Sequence, residues 1–146
     1  MNKVIIMRGI PGCGKTTYIK KNFPKAFICS ADDYFTDEDG NYNYRKEEAG
    51  EAHAQSQTRF AAALEVGVPL VIVDNTNTRM WEMEHYIYLA EECGYKLEFI
   101  RFDVPTNDAH ERNIHKVPLS EVERLADLFE ELPEAYAKHE IIINDE

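Results

Sequence analysis

Residues 9–16 read Gly9-Ile10-Pro11-Gly12-Cys13-Gly14-Lys15-Thr16, a complete G-x-x-x-x-G-K-T phosphate loop directly behind the apolar run Val4-Ile5-Ile6-Met7. A strand feeding a glycine-rich turn and then a helix lets successive backbone N–H groups converge on a phosphate. Glycine tolerates positive φ and places no Cβ in the way. Gly9, Pro11, Gly12, Cys13, Gly14, Lys15, Thr16 and Thr17 are therefore the expected nucleotide-binding residues. In such a loop the lysine bridges the β- and γ-phosphates and the threonine hydroxyl ligates Mg²⁺, so the expected ligands are a nucleoside triphosphate and Mg²⁺.

Beyond this loop the chain alternates strand and helix patterns. Lys3 to Met7 and Ala26 to Cys29 read as strands, separated by a helix opening at Lys15 and by Pro24. A long helix is expected from Lys46 to Glu65, with Ala49, Ala52, Phe60 and Leu64 available for its buried face. Leu70 to Val73 is a continuous apolar strand of the kind buried in a parallel sheet. Arg79 to Glu92, Asp108 to Ile114 and Ser120 to Leu132 read as helices, the last with Ser120 and Glu123 as a capping box. Lys96 to Phe102 and Glu140 to Asn144 are the remaining strands. This alternation predicts an α/β fold with a mostly parallel central sheet covered on both faces. Ligands then bind at the carboxyl ends of the strands.

The 146 residues suit one domain, 1–146, since about 100 to 200 residues per domain is usual. The apolar runs are too short to span a bilayer and no secretory leader is evident, so a cytoplasmic protein with no membrane partner is the expectation. Three cysteines, Cys13, Cys29 and Cys93, form no metal-ligand spacing and read as reduced thiols. The net charge of −11 argues against broad binding to duplex DNA. Lys3, Arg8, Lys15, Lys20, Lys21 and Lys25 nevertheless cluster in sequence around the phosphate loop, which leaves room for a local basic cleft.

Two carboxylate sites follow strands. Asp74 ends the strand Leu70–Val73 and stands where a Walker-B acid would hold a Mg²⁺-bound water, although a turn or helix cap also favours Asp and Asn there. Asp32 and Asp33 follow the second strand, where a carboxylate near a γ-phosphate can accept the proton of an attacking hydroxyl. Tyr42, Tyr44 and Phe35 are of the type that stacks on a nucleobase and equally of the type that packs a core; the core is the first expectation. Trp81 with Met83 and Tyr86 is expected to pack a helix onto the sheet. His53 and His115 are candidates for contact with an acceptor or a phosphate, or plain structural and solvated histidines.

The order of the phosphate loop, Ser30-Ala31-Asp32-Asp33-Tyr34-Phe35, Val73-Asp74-Asn75-Thr76-Asn77-Thr78 with Trp81-Glu82-Met83, and Arg112-Asn113 with His115 and Val117-Pro118, resembles the kinase domain of bacteriophage polynucleotide kinase. It is closer still to small AAA-type ATP-binding kinase-like proteins related to the polynucleotide-kinase domain of an animal ubiquitin-ligase-binding protein. The resemblance implies a P-loop NTPase of the kinase type, a three-layer sandwich. It also implies transfer of the ATP γ-phosphoryl group to a hydroxyl, most directly a polynucleotide 5′-hydroxyl. Under it Lys15, Asp32 and Arg112 are the catalytic residues, Asp32 as base and Arg112 as lid arginine, while Thr16 and Asp74 hold the metal. Two positions depart from the pattern. Phe35 stands where the bacteriophage enzyme has an arginine for the acceptor's phosphate, and a second lid arginine is missing, with only His115 and Lys116 nearby. These departures favour a nucleoside or another small hydroxyl compound as the alternative acceptor. An ATP-binding regulatory module with little transfer activity is the alternative of a different class.

Overall fold

A computed structural model describes residues 2–113 and 116–144. Five strands form one sheet: β1 (Lys3–Arg8), β2 (Phe27–Cys29), β3 (Leu70–Asp74), β4 (Lys96–Asp103) and β5 (Glu140–Asn144). Their order is β2-β3-β1-β4-β5 and every pairing is parallel. The chain steps outward from β1 to β2, returns through β3, and then crosses to the other side of β1 for β4. The carboxyl ends of β1 and β3 therefore flank the switch point, where a parallel sheet opens a crevice.

Alternation along the strands builds two cores. Val4, Ile6, Val71, Val73 and Phe99 face one side, where they meet Phe60, Ala63 and Leu64 of α2 (Ala49–Glu65) and Met83, Tyr86, Ile87 and Ala90 of α3 (Met80–Glu92). Ile5, Met7, Ile72, Ile100 and Phe102 face the other. There they pack on Ile19 of α1 (Lys15–Asn22), Ala109 of α4 (Thr106–Arg112) and Val122 of α5 (Leu119–Asp127). A period of two on the strands thus supplies both faces of a three-layer α/β sandwich. A short α6 (Glu134–Ala137) leads into β5. Among the described residues no helix is long and apolar enough to cross a membrane.

Several local expectations are corrected. The helix expected from Lys46 begins with a 3₁₀ turn, Lys46–Glu48, before α2 proper. The capping box of Ser120 and Glu123 does not form, because Pro118 starts α5 one residue early and leaves Ser120 inside its first turn. That helix also stops at Asp127, and Leu132 reaches the core from the segment beyond it. The helix expected to run to Ile114 ends at Arg112, and Ile114 lies outside the described residues. Met83 and Tyr86 do pack α3 onto the sheet, but Trp81 points outward, 62% exposed, with the Arg79 guanidinium over its ring.

Arg8 is the largest departure. The sequence places it in a basic cluster, yet its side chain is fully buried at the end of β1. Its Nε donates to the Asn77 carbonyl at 2.9 Å, and its terminal nitrogens donate to Glu140 at 3.1 Å, to the Thr78 carbonyl at 3.2 Å and to the Glu130 carbonyl. Phe129 covers the guanidinium plane. A strand position beside two core faces forces the cation inward, and these partners satisfy it there.

Candidate nucleotide and phosphoryl-transfer site

The phosphate loop joins β1 to α1. Gly14, at φ 103°, occupies the N-cap of α1, makes no side-chain cap, and has open space where a Cβ would stand. The first amides of α1 therefore face the cleft without a protein partner competing for that position, the arrangement that favours an anion. Gly12, at φ 85°, has the opposite reason to be glycine: a Cβ there would meet the Ala109 carbonyl oxygen of α4 at 1.9 Å. Gly9 lies under the loop, its N–H donating to the Thr76 carbonyl at 3.0 Å. Cys13 is likewise buried, and its N–H closes on the Ile10 carbonyl. Pro11, Gly12, Cys13, Gly14, Lys15, Thr16 and Thr17 all line the cleft.

Lys15 folds its ammonium over the loop, with the Gly9 carbonyl at 2.8 Å and the Ile10 carbonyl at 3.4 Å. Thr16 donates its hydroxyl to Asp74 Oδ2 at 3.1 Å. Burial pushes the Asp74 carboxyl above the usual carboxylate range; Lys15 and the Thr16 hydrogen bond pull it back in part, and Asp32 and Asp33 push the same way as burial. The loop lysine and three carboxylates thus lie within electrostatic reach of one another. An oxygen-only set of one carboxylate and one hydroxyl fits Mg²⁺, which retains waters and takes further oxygens from phosphate. It does not form a preformed cage, consistent with the lack of any cluster of three His, Cys, Asp or Glu suited to a metal among the described residues.

Asp32 and Asp33 sit in a 3₁₀ turn, Ala31–Phe35, capped by Ser30, whose hydroxyl accepts the Asp32 N–H at 3.2 Å. The two carboxylates have different settings. Asp33 pairs with Arg59 of α2 at 2.9 Å, whereas Asp32 accepts the Tyr42 hydroxyl at 3.3 Å. Phe35 is 5% exposed, stacked edge-on by Tyr34, Tyr42 and Tyr44. The core expectation holds for Phe35 and the half-buried Tyr42; Tyr44 is 53% exposed at the rim.

Arg112 ends α4 on the cleft wall, its Nε donating to the Asp108 carbonyl at 3.3 Å. His53 lines the cleft from an exposed position on α2, and Lys116 lines it as well. His115 lies outside the described residues. Among the lining side chains are eight cations, Lys15, Lys20, Lys21, Lys46, Arg79, Arg112, Lys116 and Arg124, against five acids, Asp32, Asp33, Asp74, Glu82 and Glu121. The cleft is therefore locally basic on a chain of net charge −11. Its volume of about 2300 Å³ exceeds the roughly 300–1,000 Å³ of a single small-ligand pocket, which leaves room for two ligands.

Sequence reasoning missed the residues that tie these parts together. Asn77 adopts φ 48° and donates Nδ2 to the Met7 carbonyl at 2.7 Å, while Asn75 accepts the Ala31 N–H at 2.8 Å. The signal was present in Asp74-Asn75-Thr76-Asn77, since Asn tolerates the left-handed region and bonds backbone groups. Which backbone groups it would reach was not legible.

The model of the AAA domain family matches residues 4–132. Human NEDD4-binding protein 2 is 32% identical over 134 residues, covering 87% of this chain and 8% of that protein, so the chain spans less than a tenth of that relative's length. A chain of the Pnkp1/Rnl/Hen1 RNA repair complex superposes with a TM-score of 0.69 at 18% identity, covering 94% of this chain and 45% of that one. A gluconokinase from Sinorhizobium meliloti 1021 superposes with a TM-score of 0.60 at 15% identity, covering 97% and 82%. At these identities the structural likeness is one of fold. With the family match spanning most of its length, the chain belongs to the AAA domain family, and its fold is that of the P-loop kinases it superposes on.

Proposed function

We propose that this protein is an ATP-dependent kinase that transfers the γ-phosphoryl group to a hydroxyl, with a single-stranded polynucleotide 5′-hydroxyl as the leading acceptor. The observation that carries the reading is the convergence of Lys15, the Thr16–Asp74 pair and Asp32 on one basic cleft with room for two ligands. Lys15 and the loop amides hold the phosphates of ATP, and Thr16 with Asp74 holds Mg²⁺. Bound there, Mg²⁺ would neutralise charge on the phosphate oxygens. The Asp32 carboxylate accepts the proton of the acceptor hydroxyl as its oxygen forms a bond to the γ-phosphorus and the bond to the β-phosphate oxygen breaks, releasing ADP. Arg112, which also lines the cleft, offers positive charge to the transferring group.

One observation favours a smaller acceptor. Phe35, at the position of the bacteriophage enzyme's phosphate-holding arginine, is buried under three tyrosines and offers an incoming phosphate no hydrogen bond. A nucleoside or small alcohol fits that side of the cleft without such a contact. The test is transfer of labelled γ-phosphate to 5′-hydroxyl RNA and DNA oligonucleotides, adenosine and gluconate, with Asp32→Asn and Asp33→Asn alongside wild type. Loss of a general base lowers transfer roughly 10² to 10⁴-fold at Asp32, with ATP affinity kept and a smaller effect at Asp33. Slow ATP hydrolysis that no acceptor accelerates would replace the kinase reading with a nucleotide-binding module.

A further inference from the structure

Asn75 takes no part in the chemistry above, yet its side chain joins the two loops that carry it. The ladder between β2 and β3 stops at Cys29 and Val73. Two residues beyond that last pair, Asn75 Oδ1 accepts the Ala31 N–H at 2.8 Å, so a side chain continues the fastening where strand pairing has ended. Ala31 is buried and opens the turn whose next residue is Asp32.

The other side of Asn75 is fixed to the nucleotide half of the site. Its carbonyl accepts Asn77 Nδ2 at 3.3 Å, the same amide that reaches the Met7 carbonyl, and the Gly9 N–H holds the Thr76 carbonyl. The loop after β3 is thereby tied to the end of β1, from which the phosphate loop starts. Asn75 Nδ2 is buried and faces the Tyr86 hydroxyl, which shares a hydrogen bond with Ser56 at 2.9 Å. What the Asn75 side chain supplies at this joint is the accepting oxygen for the Ala31 N–H.

We propose that Asn75 is the positioning residue for Asp32: through the Ala31 N–H it fixes the acceptor-side carboxylate relative to Lys15 and Asp74. The inference rests on the reading of Asp32 as the base. Misplacing a reacting group by about 1 Å can cost up to about 10²-fold in rate, so a single hydrogen bond at this joint is enough to matter.

The test is a double-mutant cycle, measured as labelled γ-phosphate transfer from ATP to a 5′-hydroxyl RNA oligonucleotide, with adenosine and gluconate in parallel. Asn75→Ala removes the acceptor oxygen, and Asn75→Ser keeps a polar residue too short to reach Ala31. Both are expected to lower kcat roughly 10 to 10²-fold while the KM for ATP stays within about twofold. In the Asp32→Asn background, Asn75→Ala should cause no further loss, because the group it positions is already disabled. Equal losses in both backgrounds, a rise in the ATP KM with kcat unchanged, or failure of both Asn75 variants to fold would show a merely structural role and overturn the proposal. If Asp32→Asn abolishes transfer and neither Asn75 variant changes kcat, the Asn75 inference alone falls. If Asp32→Asn transfers as wild type does, the assignment of the base falls, and the inference with it.

Discussion

Glu140→Gln should cost far more stability than its position on the last strand suggests. The Arg8 and Glu140 side chains are 0% and 6% exposed. Neutralising Glu140 leaves a guanidinium in the interior with three backbone carbonyls and only the weaker charge of the exposed Glu131 to oppose it. Breaking a buried pair from one side typically costs about 3–5 kcal/mol. The glutamine still offers Arg8 an oxygen and the carbonyls of Asn77, Thr78 and Glu130 remain, so the lower end, about 3 kcal/mol, is expected. For a chain of this size that is a fall in Tm of about 6–12 °C. Glu131→Gln is the internal control. Its pair with Arg101 is shorter, 2.7 Å against 3.1 Å, but Glu131 is 78% exposed. Exposed pairs contribute about 0–1 kcal/mol, so burial and not distance should rank the two variants. Urea and thermal unfolding, followed by circular dichroism, measure both. Equal losses, or a loss under about 1 kcal/mol for Glu140→Gln, would refute the claim that Arg8 depends on its buried counter-charge.

Lys15→Ala should nearly abolish ATP binding by calorimetry while leaving the unfolding curve close to wild type, because the ammonium contacts loop carbonyls and not a core. Asp74→Asn should raise the Tm at neutral pH yet lose Mg²⁺-dependent nucleotide binding. The folded protein holds a proton on Asp74 more tightly than the unfolded chain, so that contribution to stability is full below the ordinary carboxylate pKa and is lost as pH rises through the raised value. The asparagine removes this slope, which pH-dependent unfolding would reveal; an unchanged slope would sink the argument. Gly12→Ala should displace α4 from the phosphate loop, since its Cβ meets the Ala109 oxygen at φ 85°, and should weaken ATP binding at least tenfold by fluorescence titration of a labelled nucleotide. Wild-type affinity in that variant would mean that the loop and α4 are not coupled.

The sheet, its two cores and the loop that approaches the phosphates are legible in the order of the residues alone. Those features rest on local periodicity and on backbone freedoms that only certain residues possess, as in Val4–Met7 followed by Gly12, Gly14 and Lys15. The same order placed Asp74 and Asp32 at strand ends, where a parallel sheet puts ligands. Tertiary structure decided what residue type leaves open. Arg8 and Lys15 are both cations near one loop, yet one is buried on Glu140 and the other faces the cleft, because Arg8 ends a strand covered on both faces while Lys15 opens α1 at the cleft. Asp32 and Asp33 are identical in kind and adjacent, and only the packing of α2 gives one of them Arg59 and leaves the other beside Tyr42. Such choices depend on partners 10 to 130 residues away. Local propensity carries no information about them, and the long-range hydrogen bonds of Arg8, Asn75 and Asn77 are where the fold supplies it.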